Sequence, residues 1–198
     1  SKVTEMYFKP SILICFEDED GKGSGRSIPG FDLHEALMNC NNSLERFGGH
    51  SMAVGVTIKK SKFDDLKNQL EEYARKCEVN KIVPIINIDS EILLKEVDIE
   101  SVKSLKLLEP YGEANKMPLF LFKNLKINSI RSLSDGKHLR LTLRDDNFMI
   151  NAIGFNMGEL SEKYLLDDRV DIVGNLDINS YNGNESIQII VKDIRKSY

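Results

Sequence analysis

The spacing of apolar positions along this chain changes several times, and each change marks an element. "SILICF" (Ser11 to Phe16) is a short apolar run rich in strand formers, ended by the acidic "EDED" and by Gly21, Gly23 and Gly25, so a buried strand leading into a loop is expected. Leu33, Leu37, Cys40, Leu44 and Phe47 then recur at three- and four-residue intervals behind Asp32, an N-cap whose capping box Glu35 completes. That spacing predicts a helix to about Phe47, stopped by Gly48 and Gly49. "AVGVTI" (Ala53 to Ile58) reads as a strand, Ser61 to Cys77 as a second helix opened by Ser61, and "IVPIINI" (Ile82 to Ile88) as a further strand before a helix that starts near Asp98.

Regular structure breaks at Pro110, Gly112 and Pro118, which places a domain boundary near Pro110 and divides the chain into residues 1–110 and 111–198. Beyond it the pattern predicts strands around Leu119 to Ile130, His138 to Arg144 and Phe148 to Phe155, a short helix from Met157 to Leu165, and strands around Val170 to Tyr181 and Ser186 to Ile194. Strand-strand-strand-helix-strand-strand is the order of a five-stranded OB barrel, and Asn182-Gly183 suits the hairpin joining its last two strands. An SH3-like barrel or a small α+β sandwich would also accommodate it. The expected fold class is therefore an α/β domain, a mixed sheet with helices, followed by an all-β OB-fold barrel with one helix.

Composition narrows the function. In 198 residues, 41% hydrophobic, the net charge is −4 with an isoelectric point near 5.5, against the broad basic surface of proteins that coat nucleic acid. Any such binding must be local, and Lys123, Lys126, Arg131, Lys137, Arg140 and Arg144 form one basic run opposed by Asp135. No apolar run reaches the roughly 18 residues of a membrane span, and the N-terminus lacks the order of a signal peptide, so neither membrane nor secretion is expected. Cys15, Cys40 and Cys77 match neither a disulfide framework nor a zinc motif, and reduced, cytoplasmic thiols are expected. The chain starts at Ser1, as a fragment or a processed protein does.

Three stretches carry candidate chemistry. In "GKGSGRS", glycines allow close backbone approach, Ser24 and Ser27 offer hydroxyls, and Lys22 and Arg26 offer charge, a set suited to phosphate; the alternative is a mobile surface loop with incidental charge. In "GGHSMAVG", His50 sits where an imidazole could meet an oxyanion or move a proton, or could simply satisfy a loop carbonyl beyond a glycine helix cap. His34, on the capped helix, reads as a surface residue. In "HLRLTLR", Leu139, Leu141 and Leu143 alternate with His138, Arg140, Thr142 and Arg144; the basic face, with Lys137 beside it, is either a single-strand-binding surface or a solvated one. Phe148 and Tyr181 are the candidate stacking aromatics, and Phe120, Phe122 and Phe155 are assigned to the core. The spacings of H-E-x-x-H, of a Walker loop and of a nucleophile elbow are missing from the sequence.

Taken in order, "KGSGRS", "FDLHEAL", "FGGHSMAVG", "LEPYGEANKMPLF", "HLRLTL", "AIGFN", "VDIVGNLDIN" and "YNGNESIQIIVKDI" resemble the C-terminal part of the bacterial RecJ family, single-stranded-DNA-specific 5′-to-3′ exonucleases of the DHH phosphoesterase superfamily. "SKVTEMYFKPSIL" looks like a helix and strand inside that family's DHH-associated domain, so the chain is expected to begin partway into it. The resemblance implies that Mn2+ or Mg2+ binds in a DHH domain preceding this segment, with none expected on this chain, which alone should be inactive. It maps the grip on the substrate backbone and 5′-phosphate onto Ser24, Arg26, Ser27, Gly48, Gly49 and His50. It implies single-stranded DNA as ligand, with single-strand-binding protein and a RecQ-type helicase as possible partners. Ala114 and Lys116 depart from the glycine and proline usual after "PYGE", and Val54 from an alanine.

Overall fold

Alternation at period two sets the first sheet, including where glycines suggested a loop. The computed structural model describes residues 2–112, 114–181 and 183–197; the side chain of Tyr181 lies outside the described set. The chain divides into two compact units, Ser1–Ile85 and Ile86–Tyr198. The division falls well before Pro110 because Leu94 and Val102 pack into the core of the second unit.

The first unit runs α1 (Lys2–Tyr7), β1 (Ser11–Glu17), β2 (Asp20–Arg26), α2 (Leu33–Met38), β3 (Arg46–His50), β4 (Ala53–Lys59) and α3 (Phe63–Lys76). Its sheet has the order β1-β2-β4-β3, with every ladder antiparallel. "GKGSGR" is thus a central strand rather than a loop. Gly21, Gly23 and Gly25 face the helices because neighbours already fill that space: a Cβ on Gly23 would come within 2.7 Å of both Ile14 and Val56, and one on Gly25 within 2.7 Å of Val54. The turn lies just before, at Asp18, whose φ is 54°.

The helix opened by Asp32 is shorter than the apolar spacing implies. Asp32 caps it, accepting from the Glu35 N–H at 2.9 Å, but Asn39 ends it by donating from its side chain to the Glu35 carbonyl at 2.9 Å. Leu44 and Phe47 still reach the core, from an extended segment and from β3. Gly48 and Gly49 are therefore strand residues, not helix stops. α3 buries Leu66 and packs Leu70, Tyr73 and Ala74 beside it; Ser61 lies in the single helical turn that precedes it. The segment 82–88 forms no ladder: Pro84 lacks a donor, and Val83 and Ile85 are 65% and 80% exposed.

The second unit runs β5 (Ser90–Glu91), α4 (Ile99–Ser104), β6 (Phe120–Leu133), β7 (His138–Asp145), β8 (Phe148–Gly154), α5 (Leu160–Lys163), β9 (Arg169–Tyr181) and β10 (Asn184–Lys196). Asp98 caps α4, accepting from the Ser101 N–H at 2.8 Å. The strands are ordered β6-β7-β8-β10-β9, with β9 returning to pair with β6 and β5 added outside β6. This closes a five-stranded barrel with the parallel β8–β10 contact and antiparallel remainder of an OB fold. Phe122, Leu125, Ile127, Leu139, Leu141, Leu143, Ile172 and Ile189 fill it. Tyr164 joins this core, buried, with its hydroxyl donating to the Ile194 carbonyl at 3.0 Å. Phe122 is core as expected and Phe120 packs against the core, but Phe155 is 53% exposed. Tyr181 pairs with Asn184 and Gly183 has φ 77°, while Asn182, expected in that hairpin turn, lies outside the described residues. Glu113, beside the expected inter-domain departures, lies outside them too.

Candidate functional site

The first unit's sheet buries one face and leaves the other open. Residues directly opposite one another share a face, so the register fixes what the open face presents. Arg26 on β2 pairs with Ala53 on β4, and Ala53 pairs with His50 on β3. In the next row Ser24 pairs with Gly55, and Gly55 with Gly48. In the third, Lys22 pairs with Thr57, and Thr57 with Arg46. A fourth row, Glu17, Asp20 and Lys59, ends the face, with Lys59 bound to Asp20 at 2.6 Å. That ion pair and nearby Glu45 and Glu19 push the Lys59 amine above its ordinary range, led by the hydrogen bond from Lys59 to Asp20.

Most of the residues expected at a phosphate grip therefore come together on one exposed surface although they are drawn from two strands that never pair. Within it the Arg26 guanidinium donates to the Ser24 hydroxyl at 3.2 Å and to the Gly25 carbonyl at 2.8 Å, which holds both side chains along the strand. Ser27 is different. It is buried, and its hydroxyl donates to the Phe31 carbonyl at 2.6 Å while its N–H donates to the Met52 carbonyl at 3.0 Å. With the Leu33 N–H donating to the Ser51 carbonyl at 3.0 Å, it ties the β3–β4 hairpin to the segment after β2, so it positions His50 rather than facing a ligand. His34, expected at the surface, is half-buried with its ring 5.6 Å from that of Phe47.

The two glycines before His50 have separate reasons. Gly49 has φ 136°, and a Cβ there would stand 2.2 Å from the Ala53 carbonyl oxygen, so the hairpin itself requires glycine. A Cβ on Gly48, or on Gly55 beside it, would meet nothing within 4 Å. Nothing in this chain's packing demands glycine at either position; they leave a bare backbone floor in the middle row. Arg46 was not singled out by the sequence reading, since it lay inside the expected helix; only the β3–β4 register places it on this face. A cavity of 520 Å3 lies on the other side, lined by Ile12, Ile14, Phe31 and Leu70 of the buried face.

The second unit carries its own basic wall. On β7, Leu139, Leu141 and Leu143 are buried while Arg140 and Arg144 are exposed. Arg140 lies opposite Arg131 of β6, Arg144 opposite Lys126, and Thr142 opposite Ser129 between them. β8 extends these rows with Ile153, Asn151 and Met149, while Ile150, Ala152 and Gly154 point inward. Two of the basic residues are already engaged, Lys123 with Glu91 at 2.6 Å and Lys126 with Asp167 at 2.7 Å. Lys137 is exposed in the β6–β7 turn, and its carbonyl accepts from the Gly158 N–H at 3.2 Å. His138 is half-buried: its Nδ1 accepts from the Asn156 N–H at 3.0 Å and its ring stands edge-on to Phe155 at 5.3 Å, leaving only Nε2 to reach outward. Phe148 is 49% exposed at the start of β8, while the Tyr181 side chain, the other stacking candidate, lies outside the described residues. Among the described residues no group of three or more His, Cys, Asp or Glu is placed to hold a metal ion, and no helix is long and apolar enough to cross a membrane.

Comparison with known proteins matches both units. A family described as the RecJ OB domain matches residues 88–193, and one described as the DHHA1 domain matches residues 1–76. The single-stranded-DNA-specific exonuclease RecJ of Bacillus subtilis is 34% identical over 98% of this chain and 25% of its own length, and that of Thermus thermophilus 30% identical over 99% and 27%. The crystal structure of RecJ in complex with Mn2+ from Thermus thermophilus aligns with a TM-score of 0.82 at 28% identity, over 100% of this chain and 28% of that one. The chain thus spans about a quarter of the length of these two curated relatives.

Proposed function

The chain belongs to the RecJ family, and from that premise we propose that it is the substrate-gripping C-terminal portion of a single-stranded-DNA-specific 5′-to-3′ exonuclease acting in DNA repair and recombination. The observation that supports this most is the register of the first sheet. It sets Arg26 and Ser24 against His50 and Gly48 across β4 on one open face. A terminal phosphate over Ala53 would receive the Arg26 fork and the His50 imidazole, with Ser24 and the bare backbone at Gly48 beside it. The barrel's own wall of Arg131, Arg140, Arg144 and Lys137, with His138 at its edge, would hold single strands by their phosphates, Phe148 offering a stacking face.

The described side chains do not form a donor set for Mn2+ or Mg2+, so no step here runs through a metal. Phosphodiester hydrolysis is assigned to metals held by residues other than these, and this chain's contribution is to bind and orient the strand end. Single-strand-binding protein and a RecQ-type helicase in the cytoplasm are the partners the resemblance suggests, since both would meet the same strand.

Fluorescence anisotropy with 3′-labelled oligonucleotides tests the reading. The chain should bind single strands more tightly with a 5′-phosphate than with a 5′-hydroxyl, and Arg26→Ala and His50→Ala should each remove most of that preference. Equal affinity for the two ends would overturn it.

A further inference from the structure

The open sheet face holds a second cationic row that the terminal-phosphate grip does not use. Lys22 and Arg46 flank Thr57, just as Arg26 and His50 flank Ala53. Both Lys22 and Arg46 are exposed. Asp20, the nearest carboxylate along β2, is already bound by Lys59 at 2.6 Å. Two strand spacings, about 10 Å, separate Lys22 from Arg46, a gap their long side chains can close over one anion. Four residues along β2, about 14 Å, separate this row from that of Arg26. The row between is Leu13, Ser24, Gly55 and Gly48, where the two positions on β4 and β3 lack a Cβ and added ones would meet open space. Beyond Lys22 the face ends in Glu17 beside the Asp20–Lys59 ion pair.

Resting on the reading of this face as the site of a DNA end, we propose that Lys22, Arg46 and the Thr57 hydroxyl bind an internal phosphodiester of that strand, downstream of its terminal phosphate. The sugar-phosphate chain between the two contacts lies along the glycine floor, which is level enough to let it approach the sheet. The face is thus a two-point clamp, fixing the direction of the terminal nucleotides as well as the end itself. The second contact is indifferent to the chemistry of the 5′ end, because it meets a linkage that every strand has.

The test uses the whole chain with 3′-labelled single strands, 5′-phosphorylated or 5′-hydroxyl, in which one neutral methylphosphonate linkage is walked inward from the 5′ end. For the parent, a neutral linkage at one internal position should weaken binding. K22Q/R46Q should no longer respond at that position, and its plot of log affinity against log salt should be shallower by about 0.7, one single-strand phosphate contact, on both kinds of end. R26Q should lose the 5′-phosphate preference yet keep the response to the internal neutral linkage. K22R, which retains the charge, should keep the parent's slope, and thermal melting should show all variants folded, since both side chains are exposed. If K22Q/R46Q keeps the parent's slope and its response while R26Q loses end preference, the second contact is wrong and the terminal grip stands. If the parent shows no end preference or no binding, both fall.

Discussion

Arg131 and Arg140 stand directly opposite each other across the β6–β7 ladder on the outer wall of the barrel. Like charges at facing positions destabilise a sheet by roughly 0.2–1 kcal/mol, so this pair works against the barrel's own stability. A polyanion laid over the pair reverses the sign. We expect Arg131→Gln to raise thermal stability by a few tenths of a kcal/mol while weakening single-strand binding and lowering its salt slope by about 0.7. A variant that melts lower, or that binds DNA like the parent, would remove the pair from the interface.

Ser24 and Ser27 are three residues apart and should behave oppositely. Ser27→Ala removes a buried hydrogen bond to the Phe31 carbonyl and should cost about 1 kcal/mol in denaturant unfolding. Because the tie to the β3–β4 hairpin is made by the Ser27 N–H, which alanine retains, the variant should keep its preference for a 5′-phosphate. Ser24→Ala, at an exposed position, should leave stability within about 0.5 kcal/mol of the parent and reduce that preference. Titrating both variants against the two kinds of oligonucleotide end separates the roles.

The contrast between these serines also shows what the sequence carries. The barrel was legible because its strands alternate cleanly: "HLRLTLR" puts three leucines inside and two arginines outside, as the period requires. "GKGSGR" has the same period, but glycine on its inward side hides the pattern, since the apolar surface that covers it belongs to Ile14, Val54 and Val56 on neighbouring strands. The helix after Asp32 was over-extended for a related reason. Leu44 and Phe47 keep helical spacing by coincidence while reaching the core from extended backbone. The motifs that hold the candidate residues were visible in the sequence, but their grouping on one face, Arg46 with Lys22 included, depends on strand register, which no local pattern encodes.

Asp171 on β9 is the barrel's most heavily bonded carboxylate among the described residues. It accepts from the Ser197 hydroxyl at 2.6 Å, the Asn124 N–H at 3.0 Å, and Nε and Nη2 of Arg195 at 3.1 Å each. Burial opposes its charge, yet these donors together hold the carboxyl below the usual carboxylate range. A carboxyl with a lowered native pKa contributes stability above its unfolded value, about 3.9, and loses it as pH falls through the native value. Asp171→Asn should therefore cost about 2 kcal/mol at pH 7, and the gap between variant and parent should narrow below about pH 4. Urea unfolding at a series of pH values measures it, and a gap that stays constant into acid would show that the charge is not what the site stabilises.

Gly48 and Gly49 offer the sharpest separation of fold from function. At Gly49 an alanine Cβ would sit 2.2 Å from the Ala53 carbonyl oxygen and 2.8 Å from the Val54 Cα, on a residue with φ 136°. Backbone atoms cannot yield as a side-chain tip can, so Gly49→Ala should open the β3–β4 hairpin and cost about 2 kcal/mol or more. At Gly48 the same methyl meets open space, and alanine orders a strand better than glycine does, so Gly48→Ala should be neutral or stabilising by up to about 1 kcal/mol. Its effect should appear only with ligand, as a loss of affinity for single strands because the added methyl stands on the floor where the sugar-phosphate chain approaches. Melting temperature and anisotropy on the two variants decide this together. If Gly48→Ala binds like the parent, the floor is not a contact surface and the glycine there has no ligand to explain it.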